Sequence, residues 1–63
     1  MIKLLNLYRD IKTGSIFRID MLSNEKVYFT VIHTNGDKEK AVCSIVGFEE
    51  WITLAAPEIL LEM

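Results

Sequence analysis

The chain's single histidine, single cysteine and single tryptophan fall within one segment, VIHTNGDKEKAVCSIVGFEEW, from Val31 to Trp51. A thiol activated by an imidazole is nucleophilic chemistry, and it requires the two groups within hydrogen-bond reach of each other. The hairpin between His33 and Cys43 decides whether they meet. Asn35-Gly36 is its corner, because both residues tolerate the positive φ of a two-residue type I′ turn. In that register His33 shares a face with Lys40 and Val42, while Cys43 points to the opposite face with Thr30 and Ile32. A three-residue loop flips the parity and sets Cys43 opposite Phe29, four residues from His33. At about 3.4 Å per residue that is a separation of roughly 13 Å. Neither register makes a dyad.

Other chemistry is equally thin. Glu49 and Glu50 are adjacent and diverge on a helix. Asp37 and Glu39 share a strand face, but at a solvated hairpin end flanked by Lys38 and Lys40, with no enclosing pocket implied. Lys12-Thr13-Gly14-Ser15 resembles a fragment of a phosphate loop without its spacing or its following helix. One histidine and one cysteine are too few for a structural zinc site, which takes four ligands. The expectation is no enzyme, no cofactor and no metal. Cys43, between Val42 and Ile45, reads as a small buried apolar side chain. His33 reads as a solvated or locally bonded side chain, and Trp51 as a core anchor or a partner-binding hot spot.

Positioning these residues falls to one domain spanning residues 1–63. A chain this short buries only about 60% of the surface it exposes when unfolded. Disulfide and metal are closed to it, which leaves self-association to supplement the core. Hydrophobic residues make up 51% of the chain and mean hydropathy is +0.26, so apolar side chains must stay exposed or be covered by a partner. A lone thiol suits a reducing cytoplasm. The N-terminal MIKLLNLYRD is interrupted by Lys3, Asn6, Arg9 and Asp10. No window reaches the roughly 20 apolar residues of a membrane span.

The formal net charge of −2 is unevenly spread. All the bases lie at or before Lys40; beyond it come Glu49, Glu50, Glu58 and Glu62 and no base. An acidic end of this kind suits a basic partner or the basic end of a second copy. A nucleic-acid interface normally shows a concentrated basic face. Here the bases are scattered singly, and Arg18, Lys26, Lys38 and Lys40 are the set such an interface would use.

The patterning gives mostly strands. Ile16 to Met21 alternates, with Phe17, Ile19 and Met21 on one side and Arg18 and Asp20 on the other. Leu22 to Lys26 reads as a turn. Val27 to Ile32 is β-branched and aromatic, hence a central strand. The strand returning from Asn35-Gly36 covers about Lys38 to Val46. At the start, Leu4, Leu7, Tyr8 and Ile11 fit a helix, but a strand near Lys3 to Arg9, turning at Lys12 to Ser15, is preferred. After Gly47 the period becomes helical. Phe48, Trp51, Ile52 and Ala55 share one face to about Leu54, and Glu49 and Glu50 occupy a first turn where the helix dipole favours acids. Pro57 ends the helix, and residues 58–63 form a last strand or a packed tail.

This order defines an α+β domain: a small antiparallel β-barrel or curled sheet of four to five strands, SH3-like, with one short helix near the C-terminus. Tyr8-Arg9-Asp10-Ile11-Lys12-Thr13-Gly14-Ser15-Ile16-Phe17-Arg18-Ile19, followed by Val27-Tyr28 and Phe48, resembles small uncharacterised bacterial and phage proteins. The resemblance implies an SH3-like β-barrel and a phage or mobile-element setting, with no activity to carry over. The expected function is a non-enzymatic protein-interaction module, a homodimer, that binds and occludes a host protein. Its expected interface is Tyr28, Ile32, Trp51, Leu54, Ile59 and Leu61. The alternative is a small nucleic-acid-binding barrel.

Overall fold

The computed structural model describes the backbone of residues 6–61 and the side chains of residues 6–60. Five strands and one helix follow one another: β1 (Leu7–Arg9), β2 (Ile16–Ser23), β3 (Lys26–Ile32), β4 (Lys38–Ser44), α1 (Ile45–Ala55) and β5 (Glu58–Leu61). The strands form one antiparallel sheet in the order β4-β3-β2-β1-β5. The α+β class with a short helix near the C-terminus is therefore as expected. The sheet is open, however, because β4 and β5 are its two edges and do not pair among the described residues. The N-terminal strand is present over Leu7–Arg9; its expected beginning at Lys3 lies outside the described residues.

Two turns differ from the sequence expectation. The β3–β4 loop is not a two-residue turn at Asn35-Gly36. His33 N donates to Asp37 O (2.8 Å) and Gly36 N donates to His33 O (2.9 Å), which encloses three residues with Gly36 at φ +95°. That is a type I turn followed by a left-handed glycine. Asn35 drives it, since its Oδ1 accepts from Asp37 N at 2.9 Å and so pins the loop from within. The β2–β3 turn contracts to Asn24-Glu25. Both have positive φ (51° and 62°), as a type I′ turn requires.

A bulge lies in β2. The β2–β3 register shifts between Ile19, opposite Phe29, and Met21, opposite Tyr28, and this leaves Asp20 as the extra residue. Met21 is thereby turned to the Arg18 face, contrary to the simple alternation of Phe17, Ile19 and Met21.

The helix begins at Ile45, two residues earlier than the periodicity suggested, because Ser44 caps it. Ser44 is extended (φ −70°, ψ 152°) and its Oγ accepts from Gly47 N at 3.0 Å. β4 accordingly ends at Ser44 rather than Val46. Glu49 and Glu50 fall beyond the first turn, so the dipole argument for them does not apply. Ala56 closes the helix in the left-handed region (φ 46°), its N–H bonded to Ile52 O, and Pro57 follows.

The helix packs Phe48 onto one face of the sheet. Tyr8, Ile19, Val27 and Phe48 are buried, with Phe17, Phe29, Cys43, Ile45, Trp51 and Ile52 packed around them. The Phe48 ring meets Tyr8 edge-on (centroids 6.0 Å apart), Phe29 at 5.2 Å and Trp51 at 5.3 Å; Trp51 in turn lies 4.5 Å from Phe17. Trp51 is half-buried, and Phe48 rather than Trp51 is the centre of the core.

Candidate functional site

The three-residue loop fixes where the only imidazole and the only thiol stand. Cys43 lies opposite Val27, not Phe29. Val27 is six residues from His33 along the chain, so the two side chains share a face but sit roughly 20 Å apart at about 3.4 Å per residue. His33 Nε2 instead bonds the Glu39 carboxylate across the hairpin. Cys43 is half-buried against the core, and burial pushes its thiol above the ordinary cysteine pKa.

Facing away from the helix, the sheet presents four cross-strand rows. They are Glu58–Arg9–Ile16–Ile32–Lys38, then Leu7–Arg18–Thr30–Lys40, then Met21–Tyr28–Val42, then Ser23–Lys26–Ser44. Arg18, Lys26, Lys38 and Lys40, scattered in sequence, thus share one face with Arg9. Directly paired residues lie on the same side of a sheet, which is what gathers them. Two carboxylates sit among them. Arg9 Nε bonds Glu58 at 3.0 Å, and Arg18 Nε bonds Asp20 at 2.8 Å. The Thr30 hydroxyl donates to the other Asp20 oxygen. Burial raises the Asp20 pKa, but the hydrogen bonds from Thr30 and Arg18 and the charges of Arg18 and Lys40 outweigh it, so Asp20 lies below the usual aspartate value. Tyr28 belongs to this outer face rather than the core.

The outward side of α1 has a different character. Val46, Glu49, Glu50, Thr53 and Leu54 line a shallow, open depression of about 420 Å³. Leu54 is 86% exposed and Val46 64%. Sequence reasoning missed Val46 because it assigned the residue to the end of a strand; the Ser44 cap was the signal that would have placed it on the helix.

The expected interface residues do not form one patch. Tyr28 and Ile32 lie on the outer sheet face, half-buried. Trp51 packs inward under Phe17 and Phe48. Leu54 stands on the helix, and Ile59 (57% exposed) on the edge strand β5 opposite Tyr8. Leu61 pairs with Leu7 through its backbone, and its side chain lies outside the described residues. Among the described residues, no three of His, Cys, Asp and Glu gather as a metal site would need. No described helix is long and apolar enough to cross a membrane.

No protein-family model matches this chain, and neither a curated protein nor a solved structure matches it.

Proposed function

We propose that the chain is a non-enzymatic protein-interaction module that presents the outward face of α1 to a protein with a basic, partly apolar surface. The observation that carries this is the pairing of exposed Val46 and Leu54 with Glu49 and Glu50 on one helix face. Apolar side chains that the chain itself does not cover supply affinity, and the flanking carboxylates select the sign of the partner. Element order, with the helix before a last strand that returns to β1, supports an SH3-like reading of the sheet. A phage or mobile-element protein that occludes a host protein in the cytoplasm fits this reading, and self-association belongs to it. The test is affinity capture from a bacterial lysate with mass-spectrometric identification, run beside a Val46→Ser/Leu54→Ser variant. A host protein retained by the wild type and lost from the variant is the expected result. Equal retention by both, or no retention, would overturn the reading.

The basic outer face favours a second reading, a nucleic-acid-binding sheet that uses Arg18, Lys26, Lys38 and Lys40 around Tyr28. Its affinity for a labelled oligonucleotide would fall steeply with salt. An absence of binding at low salt ends it.

A further inference from the structure

Among the described residues, nothing pairs with the outer side of β4, and every residue of the strand except Cys43 is exposed. The hydrogen-bond parity of the hairpin identifies the open groups. His33 N bonds Asp37 O at one end of the ladder, and Ile45 N bonds Glu25 O at the other. Residues 37, 39, 41, 43 and 45 therefore turn their backbone groups toward β3, and Lys38, Lys40 and Val42 turn theirs outward. Natural edges are guarded by charge, proline or a bulge. The Lys38-Glu39-Lys40 half carries such a guard; Ala41-Val42-Cys43-Ser44 carries none.

We propose that a second copy of this chain pairs antiparallel along β4, with Val42 on the two-fold axis, to make one continuous sheet. The assignment rests on the self-association in the reading above and gives it a surface. The register follows from elimination: a centre at Cys43 would leave only Val42 to Ser44 of each strand to pair, because α1 begins at Ile45. A two-fold axis normal to the sheet pairs only residues that face the same way, so it must pass through a residue. Centring on Glu39 or Lys40 sets like charges directly opposite, which is destabilising. Centring on Ala41 sets Val42 against an ammonium group. Centring on Val42 joins the exposed row Met21–Tyr28–Val42 to its own image and sets Ala41 opposite Cys43 and Lys40 opposite Ser44.

Charge agrees with this placement. Lys38 and Lys40 open β4, while Glu49 and Glu50 lie just past its end on α1. Antiparallel pairing lays the basic end of one copy beside the acidic end of the other. It also holds the two Lys40 ammoniums about four residues, roughly 13 Å, apart along the seam. That exceeds the screening length of about 8 Å at physiological salt.

The experiment combines sedimentation with cysteine crosslinking. The wild type sediments as a dimer at micromolar concentration. Val42→Lys, at a position already 52% exposed, keeps the circular dichroism spectrum and raises the dimer dissociation constant at least tenfold. In a Cys43→Ser background, Val42→Cys closes an intermolecular disulfide on mild oxidation, because a hydrogen-bonded antiparallel pair holds its Cα atoms about 5.5 Å apart, within disulfide range. Lys38→Cys in the same background stays uncrosslinked. A wild-type dimer that ignores Val42→Lys, or that fails to crosslink at Val42, overturns the β4 seam and leaves self-association standing on another surface. A wild-type monomer overturns both.

Discussion

The hydroxyl of Thr30, buried in the middle of β3, donates to the carboxylate of Asp20, the residue that bulges out of β2. Arg18, two residues back, holds the other carboxylate oxygen at 2.8 Å. The bulge thus turns a side chain that regular alternation would leave solvated into a clasp between β2 and β3. The clasp needs the ionised form, and the lowered pKa of Asp20 records that. A carboxylate whose folded pKa is depressed contributes stability that is complete above its unfolded pKa, near 3.9. That contribution is lost as pH falls through the folded value. Wild-type stability in urea is therefore expected to fall below about pH 4 more steeply than that of Asp20→Asn. Parallel pH profiles for the two proteins would show that the clasp adds nothing.

How far the sequence disclosed this arrangement depends on what set each feature. Val27 to Ile32 was legible because a β-branched and aromatic run fits a central strand, and Phe48, Trp51 and Ile52 because burial imposes a period of 3.6 on a helix. The basic face was not, because Arg18, Lys26, Lys38 and Lys40 come together only through cross-strand register. That register rests on a bulge at Asp20 and on a three-residue loop that Asn35-Gly36 alone does not distinguish from a two-residue one. The turn within Leu22 to Lys26 was legible, but not its contraction to Asn24-Glu25, since glutamate is a poor left-handed residue. The helix start was written in Ser44, but the apolar run Val42-Cys43-Ser44-Ile45-Val46 masked it.

Glu25 holds φ at +62° in a two-residue turn with Asn24, a conformation that costs a side-chain-bearing residue about 1–2 kcal/mol. Its backbone carbonyl is in use, accepting from Ile45 N at 2.9 Å, while no described ion pair involves its side chain. Glu25→Gly preserves the carbonyl and removes the strain. Offset by the added freedom of glycine in the unfolded chain, a net gain of about 0.5–1 kcal/mol is expected. In a chain of this size that raises Tm by about 2–8 °C. A lower Tm would mean that the side chain matters more than its geometry suggests.

Ser44 Oγ both caps the helix and limits Gly47. A Cβ built on Gly47 would stand 3.0 Å from that oxygen, the same atom that accepts the Gly47 N–H. Ser44→Ala is expected to cost about 1 kcal/mol through loss of the cap. Gly47→Ala gains up to about 1 kcal/mol of helix propensity, reduced by the crowding at Ser44. The two changes should therefore couple, with Gly47→Ala more favourable in the Ser44→Ala background by about 0.5 kcal/mol or more. Additive unfolding free energies across the four proteins would show that the hydroxyl yields without cost.

One helix carries both the core residue Phe48 and the proposed docking face, and two substitutions separate them. Phe48 is buried among Tyr8, Phe29 and Trp51, and Phe48→Ala should cost about 3–5 kcal/mol. A core this small rarely supplies more than about 3–5 kcal/mol, so that variant should be unfolded by circular dichroism at 25 °C. Leu54, at 86% exposure, makes no such contribution, and Leu54→Ala should stay within about 0.5 kcal/mol of the wild type. A large loss of stability at Leu54 would assign it to packing and remove it from the proposed docking face.

The last prediction concerns the thiol. Thiolate is the nucleophilic form, and burial against Val27 and the core holds Cys43 more protonated than a free cysteine at the same pH. His33, six ladder positions away and bonded to Glu39, is out of reach to assist. Alkylation of Cys43 in the folded protein at about pH 8 should therefore run slower than in the same chain unfolded in denaturant, because unfolding returns the thiol toward about 8.5. The rate should rise with pH along a single ionisation, and His33→Ala should leave it within about twofold of the wild type. A histidine-dependent rate, or a thiol that alkylates faster folded than unfolded, would mean that the two groups cooperate despite the ladder between them, and would reopen nucleophilic catalysis for this chain.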